Sequence, residues 1–242
     1  MQDFTAFAQM TPSGPTRYWR GNRVWPAPLA NSVLYFPGYP GRGSTIQDFS
    51  GQGNHGAITG ATWEKRLSRL WGLKFNGSTS KVVIPHSASI SFAADLYFKY
   101  WLIPTSAFTG DRWVFAKGTS YRLLAHNNIA YWLFYLNSMI NYVQLFGSHR
   151  SLTIGQPYQF ICSWDNATQV PTCRVNGEVS GISLDNPGAI DTNTSDFVIS
   201  GDNNGANNNL PADVYLWEMG PNQLTTNEML NKWQRERHLF GV

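Results

Sequence analysis

A chain of 242 residues holds one large all-β domain or two small ones, and its 42% hydrophobic and 14% aromatic content provides for a substantial core and excludes a disordered class. Charged residues make up only 14%, and a net charge of +3 is too small to argue for nucleic acid as a partner. Asn, Ser, Thr, Gln and Gly supply the polar surface instead, which suits neutral hydroxyl-rich ligands and contacts between subunits alike.

Residues 1–32 read as an extended arm. Thr11-Pro12-Ser13-Gly14-Pro15 and Trp25-Pro26-Ala27-Pro28 oppose both helix and central strand. Between them, Tyr18, Trp19, Arg20, Arg23 and Trp25 are costly to leave in water. Two readings stand side by side: a strap against the domain's own body, or an assembly arm against a neighbouring subunit. Met1-Gln2-Asp3 carries no basic segment and no apolar run follows, so no cleavable signal is expected and synthesis is cytoplasmic. No apolar run reaches bilayer length, so no membrane insertion is expected.

Residues 31–37 read as the first strand. The loop Asp48-Phe49-Ser50-Gly51-Gln52-Gly53-Asn54-His55-Gly56 follows, and the rest of the chain is organised around it. Gly51, Gly53 and Gly56 allow backbone that a Cβ would oppose, while Asp48, Ser50 and Asn54 can bond nearby amides. Residues 72–75 and 81–85 are expected to form a hairpin around Asn76-Gly77, and 89–92 is ambiguous between strand and turn. Residues 96–103 form a long apolar run that reads as a central sandwich strand. Short strands then follow at 113–117, 121–125, 129–135, 141–146, 158–164, 172–175, 197–200 and 214–219, separated by turn residues. This rhythm argues for a sandwich rather than βαβ units.

Cys162 and Cys173 exclude a disulfide-rich scaffold and a cysteine-based zinc cluster. They lie either side of one turn, where a cross-strand disulfide and two semi-buried thiols both stay open, the missing signal favouring thiols. One helix is signalled near 226–237: Thr225 and Glu228 have capping-box spacing, and Met229, Leu230 and Trp233 form an apolar stripe. Lys232, Arg235 and Arg237 sit late, where positive charge favours the helix end.

Taken in order, several of these fragments resemble the laminin-G-like, or concanavalin A-like, sandwich family, especially its three-motif jelly-roll branch. They are Asp48-x-Ser50-Gly51-x-Gly53-Asn54-x-Gly56, Leu73-x-Phe75-Asn76-Gly77, Val82-x-Ile84-Pro85 and Tyr100-Trp101-Leu102-Ile103-Pro104. Residues 158–165, Arg174-Val175-Asn176-Gly177 and Leu224-Thr225-Thr226-Asn227-Glu228 complete the match, which spans about 33 to 233. The resemblance implies an all-β fold: a two-sheet antiparallel jelly-roll sandwich over 33–242, with the arm at 1–32 outside it and a short C-terminal helix. It also implies a non-catalytic binding role, on carbohydrate or protein, and deployment on a secreted, cell-surface or phage-structural protein. The expected role is therefore a structural or interaction protein on the surface of a larger particle such as a phage virion. Other protein subunits, as a homo-oligomer or a larger shell, and cell-surface glycan are the expected partners. A monomeric lectin and a glycoside hydrolase of the same class are the alternatives.

Hydrolysis needs two carboxyl groups across a sugar. Asp213 and Glu218 share a strand, but their odd separation points them to opposite faces of an ideal strand. No Gly-x-Ser-x-Gly elbow or His-Glu-x-x-His pair occurs, so no catalytic residue is assigned. Calcium is the one cofactor the resemblance implies, with Asp48, Asp191, Asp196, Asp202, Asn203 and Asp213 as oxygen donors that form no ligand-spaced motif. A sugar site needs an aromatic platform beside amides or acids. Tyr131, Trp132 and Tyr135 form one candidate; Asp202, Asn203, Asn204 and Asn207 form the other.

Overall fold

A computed structural model of the chain describes residues 26–38, 42–66, 70–126, 129–136, 141–185, 189–202 and 208–242, with 129–136, 141–151 and 181–185 described as backbone. The arm residues Tyr18, Trp19, Arg20, Arg23 and Trp25 and the loop residues Asn203, Asn204 and Asn207 lie outside the described residues.

The strands in chain order begin with β1 (Leu34–Phe36), β2 (Thr45–Ile46), β3 (Gly56–Thr59), β4 (Thr62–Lys65), β5 (Trp71–Lys74) and β6 (Lys81–Ile84). A 3₁₀ turn at Ala88–Ile90 resolves the ambiguous segment. Then come β7 (Leu96–Pro104), β8 (Asp111–Lys117), β9 (Tyr121–His126), β10 (Ile129–Leu136), β11 (Asn141–Ser151) and β12 (Tyr158–Asp165). The last are β13 (Val170–Val175), β14 (Glu178–Val179), β15 (Gly181–Asp185), β16 (Phe197–Ile199) and β17 (Ala212–Gly220), before helix α1 (Thr226–Glu236).

They form two antiparallel sheets that pack as a sandwich. One has eight strands in the order β14-β13-β12-β7-β17-β5-β4, with β1 also on β17; the other has nine, in the order β15-β11-β10-β9-β8-β16-β6-β3-β2. The fold expected from the sequence is the one observed, with one local correction. β5 and β6 are not a hairpin, because β5 pairs with β4 and β17 in one sheet and β6 with β3 and β16 in the other. The turn between them crosses the sandwich, and the Asn76 side-chain oxygen holds it by accepting the Ser78, Thr79 and Ser80 amides at 2.9, 3.0 and 3.1 Å. Turn chemistry alone does not distinguish a hairpin from a corner between sheets.

The main core lies between the sheets. Phe98, Tyr100, Phe115, Phe160, Trp164, Phe197 and Trp217 are all buried there. Trp217 stacks on Tyr100 at 4.9 Å and takes Phe115 edge-on at 5.6 Å, both favoured aromatic arrangements. A second apolar layer covers the outer face of the eight-stranded sheet, where Trp101 stacks between Phe240 at 3.8 Å and Trp233 at 5.4 Å. Helix α1 packs there. Its capping box forms as the spacing predicts, the Thr225 hydroxyl accepting the Glu228 amide and the Glu228 carboxylate accepting the Thr225 amide. Met229 is buried in a separate cluster with Tyr97, Ile161 and Leu224, while Leu230 and Trp233 are half-buried.

Two glycines let this layer approach. Gly177, at φ 79° in the β13–β14 turn, lies where a Cβ would come within 2.6 Å of the Trp233 ring. At Gly72 on β5 a Cβ would meet the Tyr215 ring at 2.3 Å and the Val214 carbonyl at 2.4 Å. The second obstacle is backbone and cannot turn aside. Gly72→Ala is therefore expected to cost about 1–3 kcal/mol through overpacking, read as a lower urea midpoint at unchanged m-value.

Candidate functional site

The two outer faces have different chemistry, and an irregularity in β17 sets the first. Tyr215 pairs with Trp101 and Glu218 with Lys99, so Leu216 and Trp217 together stand opposite Tyr100. Leu216 takes φ 49°, a left-handed conformation unusual for so bulky a residue. This β-bulge shifts the alternation by one residue. Val214 and Trp217 consequently both face the main core, whereas Tyr215 and Glu218 both face out. The ideal-strand expectation that Asp213 and Glu218 point to opposite faces is thus corrected, because the extra residue restores a common face.

Glu218 is nevertheless occupied. Lys99 on β7, Glu218 on β17 and Glu236 on α1 are fully buried, and Lys232 on α1 nearly so. The Lys99 ammonium lies 2.7 Å from Glu236 and 3.4 Å from Glu218, and Lys232 lies 2.7 Å from Glu218. Glu236 also accepts the Trp101 indole N–H at 2.7 Å and the Gln159 amide at 3.1 Å. Glu218 accepts the Ser32 hydroxyl at 2.7 Å and the Leu29 amide, while Lys232 donates to the Ala27 carbonyl at 2.7 Å. Lys232 therefore serves this buried network and not the helix end where its position in the sequence had placed it. Burial raises the Glu218 carboxyl, but Lys232, Lys99 and the Leu29 N–H outweigh it and hold it at about 2. A carboxylate held ionised at neutral pH and bonded on every side is a structural anchor with no room for substrate.

Asp213 is the freer acid. It is half-buried, its Oδ1 has no hydrogen-bond partner, and burial raises its carboxyl to about 6 against the pull of Lys74. Glu64 pushes it further up and Arg66 down, and the Arg66 guanidinium lies over the Tyr215 and Phe240 rings at 5.9 and 5.2 Å.

In the nine-stranded sheet β10 is followed by β9, β8 and β16, and the described residues on either side of 203–207 lie beside β8. The Ser200 amide donates to the Val114 carbonyl at 2.8 Å, and the Trp113 amide to the Asn208 carbonyl at 2.7 Å. Asn209 closes this loop's base, donating to the Ser80 and Ser200 carbonyls at 2.7 and 2.6 Å. Register places Trp132 and Phe134 opposite Ala125 and Leu123, both core residues, and Tyr135 opposite Arg122.

Trp113 and Arg122 belong to neither sequence candidate, yet stand on β8 and β9, the strands between β10 and β16. The Arg122 guanidinium lies 5.5 Å over the Trp113 ring and donates through Nε to the Gly118 carbonyl. Burial lowers the Arg122 pKa and the Asp202 carboxylate opposes that shift. At one end of the same strands Asp111 and His126 form a half-exposed pair at 2.5 Å. Spacing alone could not single out Trp113 and Arg122, since each sits within a plain strand pattern; only the β8–β9 pairing brings them together.

The loop at 48–56 is bonded inward. The Asp48 carboxylate accepts the Tyr35 and Ser50 amides and the Asn54 amide at 2.9 Å each, and the Ser50 hydroxyl at 2.8 Å. Asn54 reaches the Val33 carbonyl at 2.6 Å and Ser89 at 2.9 Å, with Gly51 and Gly53 at φ 92° and 75°. A carboxylate surrounded by four donors does not fit a calcium ion, which needs those same lone pairs. Among the described residues, no three His, Cys, Asp or Glu side chains gather as a metal site would require.

No protein-family model matches the sequence, and no curated protein matches it. Solved structures match its fold. Trypanosoma rangeli sialidase in complex with 2,3-difluorosialic acid is 16% identical at TM-score 0.66, over 98% of this chain and 38% of that one. The binding domain of botulinum neurotoxin serotype D is 13% identical at TM-score 0.65, over 85% and 52%. The serotype D ligand-binding domain in complex with N-acetylneuraminic acid is 11% identical at TM-score 0.66, over 85% and 51%. The chain spans about a third to a half of these structures, and at such identities the likeness is one of fold.

Removing one charge from the buried network leaves its partners uncompensated. Glu218→Gln is expected to cost about 3–5 kcal/mol in urea unfolding. The folded carboxyl at about 2 lies below an unfolded glutamate, so its contribution is complete above the unfolded value and fades as pH falls toward 2. Acid titration of stability should show that limb in the native chain and lack it in Glu218→Gln.

Proposed function

We propose that the chain is a non-catalytic glycan-binding module of the concanavalin A-like class, taking its ligand on the outer face of the nine-stranded sheet. The observation that carries this reading is the grouping of Trp113, Arg122 and Asp202, all buried, with the half-exposed Asp111–His126 pair on the same strands β8 and β9. An aromatic ring, a cation and a carboxylate are groups that recognise sugar rings and their hydroxyl or carboxyl substituents. Helix α1 occupies the opposite face, where the buried carboxylates are already bonded. Two of the matching structures bear the names of a sialic acid derivative and of N-acetylneuraminic acid, which makes acidic sugars the first ligands to try. Display on a larger particle is a further part of the proposal, resting on the sequence of the arm.

A second reading is favoured by one observation. Asp213, raised to about 6, shares the outer side of the eight-stranded sheet with Glu64 across strand β5. Their β5 partners, Lys74 and Gly72, are two residues apart, so two strand spacings and that offset put the backbones roughly 12 Å apart, and the side chains must lean toward each other to flank a glycosidic bond.

Screening against sialylated and neutral oligosaccharides separates the two. A saturable ligand is expected, with affinity reduced at least tenfold, about 1.4 kcal/mol, by Arg122→Gln and by the less buried change Asp111→Asn. Absence of any binding at millimolar sugar would defeat the proposal. Saccharide release that disappears in Asp213→Asn would replace it with the hydrolase.

A further inference from the structure

Strands β12 and β13 form a hairpin in which Cys162 stands directly opposite Cys173. Both side chains are buried in the main core, and both are thiols. Backbone geometry fixes what kind of pair this is. The Asn176 amide donates to the Gln159 carbonyl at 3.0 Å, one step beyond the Phe160–Val175 pair. Bonded and non-bonded pairs alternate along an antiparallel ladder, so Cys162 and Cys173 form a non-hydrogen-bonded pair.

Two other observations agree. Pro171, which has no N–H, stands opposite Trp164, two residues along and therefore at another non-bonded position. The Cys173 carbonyl is turned to the other side, accepting the Ser180 amide at 2.9 Å. At non-bonded pairs the Cα atoms approach to about 4.5 Å, within the span a disulfide bridges. The ladder therefore need not move to accept the bond.

We propose that Cys162 and Cys173 are a cross-linking site, forming an intramolecular disulfide between β12 and β13 when the folding chain meets a small-molecule disulfide oxidant. The thiolate of one cysteine attacks a sulfur of the oxidant and expels one thiol. The second cysteine attacks the resulting mixed disulfide and expels the other. Two protons and two electrons leave the cysteines, and the oxidant is reduced to two thiols. Burial raises the Cys162 thiol, so exchange is slow in the closed sandwich and fast before it closes.

The test is to refold the full chain from urea in a buffer of oxidised and reduced glutathione, alkylate remaining thiols, and map the peptides by mass. The expected product lacks both thiols together, weighs two hydrogens less, carries a peptide linking Cys162 to Cys173, and melts at a higher temperature than the same chain with reductant added. A Cys162→Ser, Cys173→Ser double variant should show no such dependence on reductant. Should that variant not fold, the comparison of the native chain with and without reductant decides alone. Two alkylatable cysteines after oxidative refolding, glutathione retained on either, or links between chains in place of within them would each overturn the proposal.

Discussion

Four alternating charges beneath the C-terminal helix hold the eight-stranded side together. Lys99, Glu218, Lys232 and Glu236 come from β7, β17 and α1, and their net charge is zero. Desolvating four ions is expensive, so a well-packed apolar replacement could match their stability. What such a replacement would lack is position. With Lys232 fixed over Glu218, and Glu236 fixed over Lys99, Trp101 and Gln159, the helix has one azimuth and one height on the sheet. The same atoms seat the chain ahead of β1: the Leu29 amide and Ser32 hydroxyl end on Glu218, the Ala27 carbonyl on Lys232, and the Pro26 carbonyl accepts the Tyr35 hydroxyl.

That network exists only because β17 is irregular. Without the bulge at Leu216, a strand that sends Val214 inward would send Glu218 inward too, among Phe98, Tyr100 and Phe115. The bulge serves both sides at once. It gives Trp217 to the inter-sheet core, where it stacks on Tyr100, and leaves Glu218 outside to meet the helix. A left-handed Leu216 is the strain this requires, and its side chain is compensated by burial in the outer apolar layer.

The sequence made the sandwich legible wherever one residue's chemistry decides its own surroundings. Alternation in 158–164 placed Phe160, Cys162 and Trp164 on one face, and Thr225 with Glu228 located the start of the helix. It was silent where the outcome depends on a partner distant in the chain. Asn76-Gly77 announces a turn, but whether β6 returns to the same sheet depends on β3 and β16. Lys232 reads as a solvated charge near a helix end until Glu218 on another element is known. Trp113 and Arg122 are likewise ordinary strand residues until the β8–β9 register lays one over the other. The bulge has no signal of its own, since Leu216 is neither Gly nor Asn.

Buried charge is met by different groups in the two sheets. Beneath the helix each buried carboxylate meets an ammonium directly, and Glu218 is held ionised. On the nine-stranded sheet the buried cations lean on carbonyls, Arg122 on Gly118 and Lys117 on Ser195, with Lys117 also 2.9 Å from His86. Burial lowers the pKa of both, Lys117 to about 8, and Asp202 and Asp196 offset only part of that effect. A lowered cation pKa means the protein holds the charge less well than water does. The two cations sit on opposite faces of that sheet, since Lys117 pairs with Tyr121 and Phe197 of the main core whereas Arg122 stands outside with Trp113, and burial lowers Lys232 beneath the helix as well. Recognition on the nine-stranded side therefore rests on the grouping of Trp113 and Arg122 beside the half-exposed Asp111–His126 pair, and not on unmet charge.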